Sequence, residues 1–241
     1  AIFGSIANGR YELAIMLPKK DEDAINIFAL GFIITCFISL ILLILVLVFN
    51  DYFTKLLGNE EISFWLYFVP IAVFFAGIWN ILNYFNNRKK QYKDIAKATI
   101  IKSILTAIVQ LSVGFIKSGV AGLISGQIVS QLFANTKLFS NIIKDKLLLS
   151  RISKVKIIAL AKRYKDFPKF TLWAGLANTL SQNMTNILIS AFYGIATLGY
   201  YSLVQRILGV PASLIRGSIG QVFFQEAVEE NWKEIKDYYL R

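Results

Sequence analysis

The chain has 241 residues, 56% of them apolar, a formal net charge of +11 and no histidine, with a mean hydropathy of +0.55. Soluble domains average about 45–50% apolar residues, so an ordinary water-soluble fold is excluded. The bases cluster in short segments between apolar runs, which excludes a nucleic-acid surface, and the single cysteine, Cys36, excludes an internal disulfide and a thiolate metal site.

Six apolar runs predict an all-α, polytopic transmembrane helix bundle: Ile25–Phe49, Ile62–Phe85, Ala98–Ile116, Gly119–Ile143, Phe170–Tyr193 and Tyr200–Phe224. Each is near the 20 or so residues that cross a hydrocarbon core of about 30 Å. In lipid only helices and closed barrels satisfy the backbone. Long runs with sparse polar residues exclude the short alternating strands of a barrel. The connections alternate in charge. Those after the first, third and fifth runs carry Lys55, Lys117 and no base. The others carry Arg10, Lys19 and Lys20, then Arg88, Lys89, Lys90, Lys93 and Lys97, then a basic series from Lys144 to Lys169. Basic flanks are retained in the cytoplasm, which orients the chain.

Residues 8–24 read as a cytoplasmic loop of mixed charge, broken by Pro18. The first span has almost no polar face, so lipid is its expected neighbour. Asn50–Glu61 reads as a short outer loop. The second span carries Trp65, Tyr67 and Phe68 at one end and Trp79, Tyr84 and Phe85 at the other, an aromatic belt. Lys117, Ser118 and Gly119 make a tight outer hairpin. Residues 144–169 are the longest connection, and their composition fits a basic amphipathic helix on the inner membrane surface. Gly194–Gly199 joins the last two spans.

Three spans carry polar residues at helical spacing. The third has Thr99, Ser103, Thr106, Gln110 and Gly114. The fourth has Gln127, Gln131 and Asn135. The fifth has Thr171, Gly175, Asn178, Ser181, Gln182, Thr185 and Asn186. Steps of three and four place such residues on one helix face. Amides are costly in lipid unless they find partners, so these faces meet protein or water. Two readings stand: hydrogen-bonded glue between helices, which suits the third span, and a water-filled cavity, which suits the amide-rich fifth. Gly119, Gly122 and Gly126 read as a small-residue packing face.

The sixth span contains Arg206, Pro211 and Arg216. An arginine inside a span is a functional-site hypothesis, set against snorkelling to the headgroups. Pro211 removes a backbone donor and is expected to kink the helix, a candidate gating device. Every Asp and Glu is placed in a loop, in the tail or at a span edge. A cavity of amides and arginine without carboxylates suits a neutral or anionic polar cargo, with Arg on phosphate. Without histidine, paired intramembrane carboxylates or a phosphate loop, no catalysis and no cofactor are expected.

Gly9-Arg10-Tyr11-Glu12-Leu13-Ala14-Ile15 with Leu17-Pro18 resembles the inner loop after the second span of Wzx-type polysaccharide and lipid-linked oligosaccharide flippases. These belong to the multidrug/oligosaccharidyl-lipid/polysaccharide exporter superfamily. Arg163-Tyr164-Lys165-Asp166-Phe167-Pro168 resembles the segment before that family's seventh span. Gly199-Tyr200-Tyr201 with Arg206 and Pro211 is similar to its eighth. The chain also opens on Ala1 and ends within a charged segment, as a fragment would.

The resemblance implies part of a two-lobe protein of 12–14 spans. Residues 1–143 would belong to the N-terminal lobe, from the end of span two to span six. Residues 144–169 would be the basic inter-lobe connection, and 170–241 the start of the C-terminal lobe. The implied activity is flipping an undecaprenyl-pyrophosphate-linked glycan across the bacterial cytoplasmic membrane by alternating access. That glycan, membrane lipids and other polysaccharide-assembly proteins are the implied partners. Gln127, Gln131, Asn178, Gln182, Thr185 and Asn186 would meet sugar hydroxyls, and Arg206 the pyrophosphate. Three rivals remain. A cation-coupled small-molecule exporter of the same superfamily would be expected to carry intramembrane acids. A membrane-embedded glycan polymerase or ligase would be expected to carry a large outer loop. A structural membrane protein would not need an amide stripe.

Overall fold

A computed structural model describes residues 2–57, 62–116 and 121–239. The chain is all-α: α1 (Ile2–Ile6), α2 (Tyr11–Ala14), α3 (Asp21–Leu57), α4 (Ile62–Leu66), α5 (Val69–Arg88), α6 (Tyr92–Ile116), α7 (Ala121–Lys144), α8 (Lys146–Leu149), α9 (Lys154–Arg163), a π-helical turn at Phe167–Thr171 and α10 (Leu172–Tyr239). Two compact units divide it, Ala1–Trp173 and Ala174–Arg241. The Lys117–Gly119 hairpin lies outside the described residues.

Among the described residues three helices are long and apolar enough to cross a membrane: Asp21–Lys55, Ser63–Arg88 and Tyr92–Ile116. They coincide with the first three predicted spans. The described residues of the other three fall on α7, the π-helical turn and α10. On α3 the apolar run stands outward, with Phe37, Ile44, Leu47 and Val48 exposed, as a lipid-facing helix requires. The helix also outruns its predicted end. It bends at Phe49 (φ −113°) and continues to Leu57, so most of the expected Asn50–Glu61 loop is helix. Asn50 is buried and donates from Nδ2 to the Ser63 carbonyl at 3.3 Å, tying that extension to α4.

In the first unit α5 packs against α3 and α7, and α6 runs along α7. Ile15, Ile25, Ile27, Ile81, Leu82 and Leu138 are fully enclosed. Buried amides cross between the helices. Asn8 Nδ2 donates to Thr35 Oγ1 at 2.7 Å and to the Gly77 carbonyl at 3.0 Å. Asn135 Nδ2 donates to the Phe75 carbonyl at 2.9 Å. Gln110 Nε2 reaches the Leu123 carbonyl at 3.4 Å. Gln110 of the third span and Asn135 of the fourth thus act as glue, and Gly122 and Gly126 let α7 approach Gln110 closely. Gly77 is another close approach: a Cβ there would lie 2.6 Å from Thr35 Cγ2 and 3.0 Å from Ala7 Cβ. Gly77→Ala is expected to lower stability by about 1 kcal/mol through overpacking, read as a lower Tm in detergent.

Residues 8–24, expected as a loop, are buried over much of their length, with Lys19 and Lys20 exposed. Ala7, Asn8, Tyr11, Glu12, Ala14, Ile15 and Met16 are all buried, because the segment tucks between α3 and α5. The long connection also packs within the first unit, against α2 and α3. Tyr11 donates its hydroxyl to the Ala161 carbonyl at 3.0 Å. Asn26 Nδ2 donates to the Arg151 carbonyl at 3.1 Å, while Asn26 Oδ1 accepts from the Ser153 backbone N–H at 2.8 Å. Lys156 pairs with Glu22 at 2.9 Å. Leu148 and Leu160 face the core, whereas Leu147, Val155 and Ile158 face outward.

Candidate functional site

The second unit is built on α10, whose 68 residues break at Gly194 (φ 85°, ψ 170°). This backbone region is essentially glycine-only, and it turns the chain back on itself. The predicted joint is therefore shorter than expected: helix resumes at once, and residues 195–199 are helical. Gln182, Thr185 and Asn186 from the first arm meet Tyr201, Ser202 and Gln205 from the second around a groove of about 610 Å³. In a straight helix Gln182 and Gln205 would stand about 35 Å apart.

All six lining groups are neutral and polar. Gln182 Nε2 donates to Asn178 Oδ1 at 3.3 Å, and Gln205 Nε2 to the Tyr201 hydroxyl at 2.9 Å. These bonds orient each amide along its own arm. Each amide retains its carbonyl oxygen as an acceptor and one further N–H as a donor. Such a surface suits a ligand of many hydroxyls, which present donors and acceptors together. The volume falls within the ~300–1,000 Å³ of ordinary ligand sites. Thr179 and Asn183 are half-buried and bond within their own helix, to the carbonyls of Gly175 and Thr179.

Of the residues singled out from sequence, Gln182, Thr185 and Asn186 line the groove, and Asn178 is exposed on the same arm and bonded to Gln182. Gln127 and Gln131 belong to the first unit. There Gln127 is exposed, and Gln131 is buried with Oε1 unpartnered. Arg206 and Pro211 lie on the second arm of α10; their side chains, like that of Arg216, are outside the described residues. Tyr201, Ser202 and Gln205 were not among the residues expected to meet the substrate, although Tyr201 belongs to the Gly199–Tyr201 stretch. The available signal was the i, i+4 pairing of Tyr201 with Gln205. Sequence reasoning also passed over Lys102, which stands within α6 with Nζ 4.9 Å from the Trp79 ring centroid.

The first unit holds a second cavity of about 510 Å³. Lys89 and Lys144 there are balanced by Asp94 and Asp145. Asn141 Nδ2 reaches Asn86 Oδ1, Gln91 Oε1 and Asp94 Oδ2 at 2.9–3.1 Å. Balanced charge and internally bonded amides give this cavity little preference for an anion.

The acids hold the largest surprise. Glu12, expected in a cytoplasmic loop, is only 2% exposed. Burial pushes its carboxyl up to about 7, against a smaller lowering by its own backbone hydrogen bond and by Arg10. Burial likewise raises the hydroxyls of Tyr11 and Tyr164.

No curated protein and no solved structure matches the chain. A family model described as polysaccharide biosynthesis protein matches residues 13–241. With a helical membrane architecture and nearly the whole chain matched, the protein belongs to the polysaccharide biosynthesis protein family, as the Arg163–Pro168 and Gly199–Tyr201 stretches implied.

Proposed function

We propose that the chain moves a lipid-linked oligosaccharide, carried on undecaprenyl pyrophosphate, across the bacterial cytoplasmic membrane by alternating access, and that it is a transporter, not an enzyme. The observation that carries this reading is the uncharged groove of Gln182, Thr185, Asn186, Tyr201, Ser202 and Gln205 in a member of a polysaccharide biosynthesis family. Amides and hydroxyls exchange hydrogen bonds with sugar hydroxyls as water does, so a glycan can enter and leave without a deep energy well. Arg206, next to Gln205, is assigned to the pyrophosphate, which its planar fork suits.

The test is complementation of cells lacking the protein. Asn186→Leu with Gln205→Leu is expected to cut surface polysaccharide about tenfold, equivalent to ~1.4 kcal/mol, at unchanged protein abundance. Arg206→Ala is expected to abolish it in the same assay. Normal export by both variants sinks the assignment. A cation-coupled small-molecule exporter is the second reading, and Glu12, an acid outside the spans but buried between α3 and α5, favours it. Drug efflux without glycan export would select it.

A further inference from the structure

Glu12 is a carboxyl group almost completely enclosed, and its charge is poorly met. Its Oε1 lies 3.5 Å from Arg10 Nη1, longer than the 2.7–2.9 Å or so of a charge-assisted bond. Its Oε2 has no partner, and neither does Arg10 Nε. A permanently ionised pair would close into the fork that guanidinium offers carboxylate. An open pair with an orphaned oxygen fits a neutral acid far better, because an unpaired buried charge is the most expensive arrangement.

The backbone around it is also poised. Gly9 and Arg10 both adopt left-handed φ, 59° and 63°; glycine takes it freely, whereas a bulky L-residue such as Arg10 rarely does. Such strain persists only where packing over-determines it. Here the packing is a junction. Asn8 bonds to Thr35 on α3 and to the Gly77 carbonyl on α5. Tyr11, the neighbour of Glu12, bonds to the Ala161 carbonyl on α9. A change of charge at Glu12 therefore acts where the basic connection packs.

We propose that Glu12 is a proton-binding site that controls packing of the connection, residues 144–169, against α2 and α3 within the first unit. Hydronium gives its proton to Oε2, leaving water and a neutral carboxylic acid, and the segment stays packed. Loss of that proton to water restores the carboxylate. The carboxylate must then draw in Arg10 or water, and either movement pulls on the Tyr11–Ala161 bond.

Arg10 is the charge that acts on Glu12; the other charged groups lie on the elements packed against α2. α5 brings Tyr84 and Arg88; Tyr84 is close enough to sense Glu12 and Arg10, and Arg88 is bonded to Asp21 and to the Ile15 and Met16 carbonyls. α3 brings Asp21, Glu22 and Asp23. Asp21 is paired with Arg88 and Lys89, and Glu22 with Arg151 and Lys156. Asp23 and Arg88 are both felt by Tyr164. The π-helical turn brings Lys169, whose Nζ lies over the Phe170 ring.

Infrared difference spectra of the purified full chain in lipid nanodiscs, between pH 5.5 and 8.5, test the site without any substrate. A protonated carboxyl C=O band is expected to vanish with a midpoint near 7 and to be absent from Glu12→Gln. In Arg10→Gln, where Glu12 remains, the midpoint is expected to rise. A midpoint in the ordinary carboxylate range, or a band that survives Glu12→Gln, overturns the proposal. The second readout is amide hydrogen exchange of α9, corrected for the intrinsic pH dependence. Exchange is expected to quicken several-fold above the midpoint in the wild type and to stay flat in Glu12→Gln. Equal pH responses in both proteins overturn the packing role. Neither readout involves a glycan, so failure of the transport reading and failure of this one are distinguishable.

Discussion

Arg88→Ala is expected to destabilise the first unit by about 3 kcal/mol, more than any surface charge in the chain should. Arg88 reads in the sequence as one of five bases that fix topology. In the structure its side chain is only 12% exposed. Nη1 donates to the carbonyls of Ile15 at 3.2 Å and Met16 at 3.1 Å, Nη2 to that of Lys19 at 3.4 Å, and Nε to Asp21 Oδ1 at 3.0 Å. It thus closes the backbone between α2 and α3. Ile15 and Met16 are buried, so truncation strands two enclosed acceptors at about 1–3 kcal/mol each. The ion pair itself contributes little, because the Asp21 side chain is 45% exposed and exposed pairs are worth at most about 1 kcal/mol. Two consequences separate these terms. Arg88→Lys keeps the charge but not the fork, and is expected to recover less than half of the loss. Added salt is expected to leave the wild-type Tm nearly unchanged. Thermal unfolding of the detergent-solubilised protein, followed by circular dichroism, checks all three.

The hydropathy pattern reveals what lipid alone dictates. The first three spans and the outward face of α3 follow from apolar length, a one-dimensional property. The segment around Glu12 does not. Arg10, Glu12, Lys19 and Lys20 make it read as a loop, and its apolar residues Ala14, Ile15 and Met16 are too few to signal a helix. Their burial comes from α3 and α5 closing over them, a contact between distant positions. Asn26 is similar: within an apolar run it looks incidental, yet it binds backbone at both Arg151 and Ser153. In the groove, the first arm was legible because Asn178, Gln182, Thr185 and Asn186 share a face. The second arm was not, because which face it presents depends on the single break at Gly194.

That break carries the other large expected effect. Gly194→Val is expected to abolish glycan export, and by a mechanism distinct from loss of contacts. A Cβ at Gly194 meets nothing within 4 Å, so no neighbour is displaced. The cost lies entirely in the backbone, where φ 85° with ψ 170° is closed to a β-branched residue at roughly 1–3 kcal/mol or more. The cheapest relief is to let the helix continue through position 194. Spin labels at Ile187 and Leu203, both exposed, would then separate to about 24 Å, the rise of a straight helix, from a shorter distance across the wild-type fold. Gln182 and Asn186 would no longer oppose Tyr201 and Gln205, and the groove would cease to exist. Gly199→Val is the matched control. Its surroundings are equally open, and its φ is not among the positive ones. It should keep both the short distance and export. If Gly194→Val kept the short distance while export still failed, the groove would not be the reason. If Gly199→Val failed equally, the reversal at Gly194 would lose its special standing.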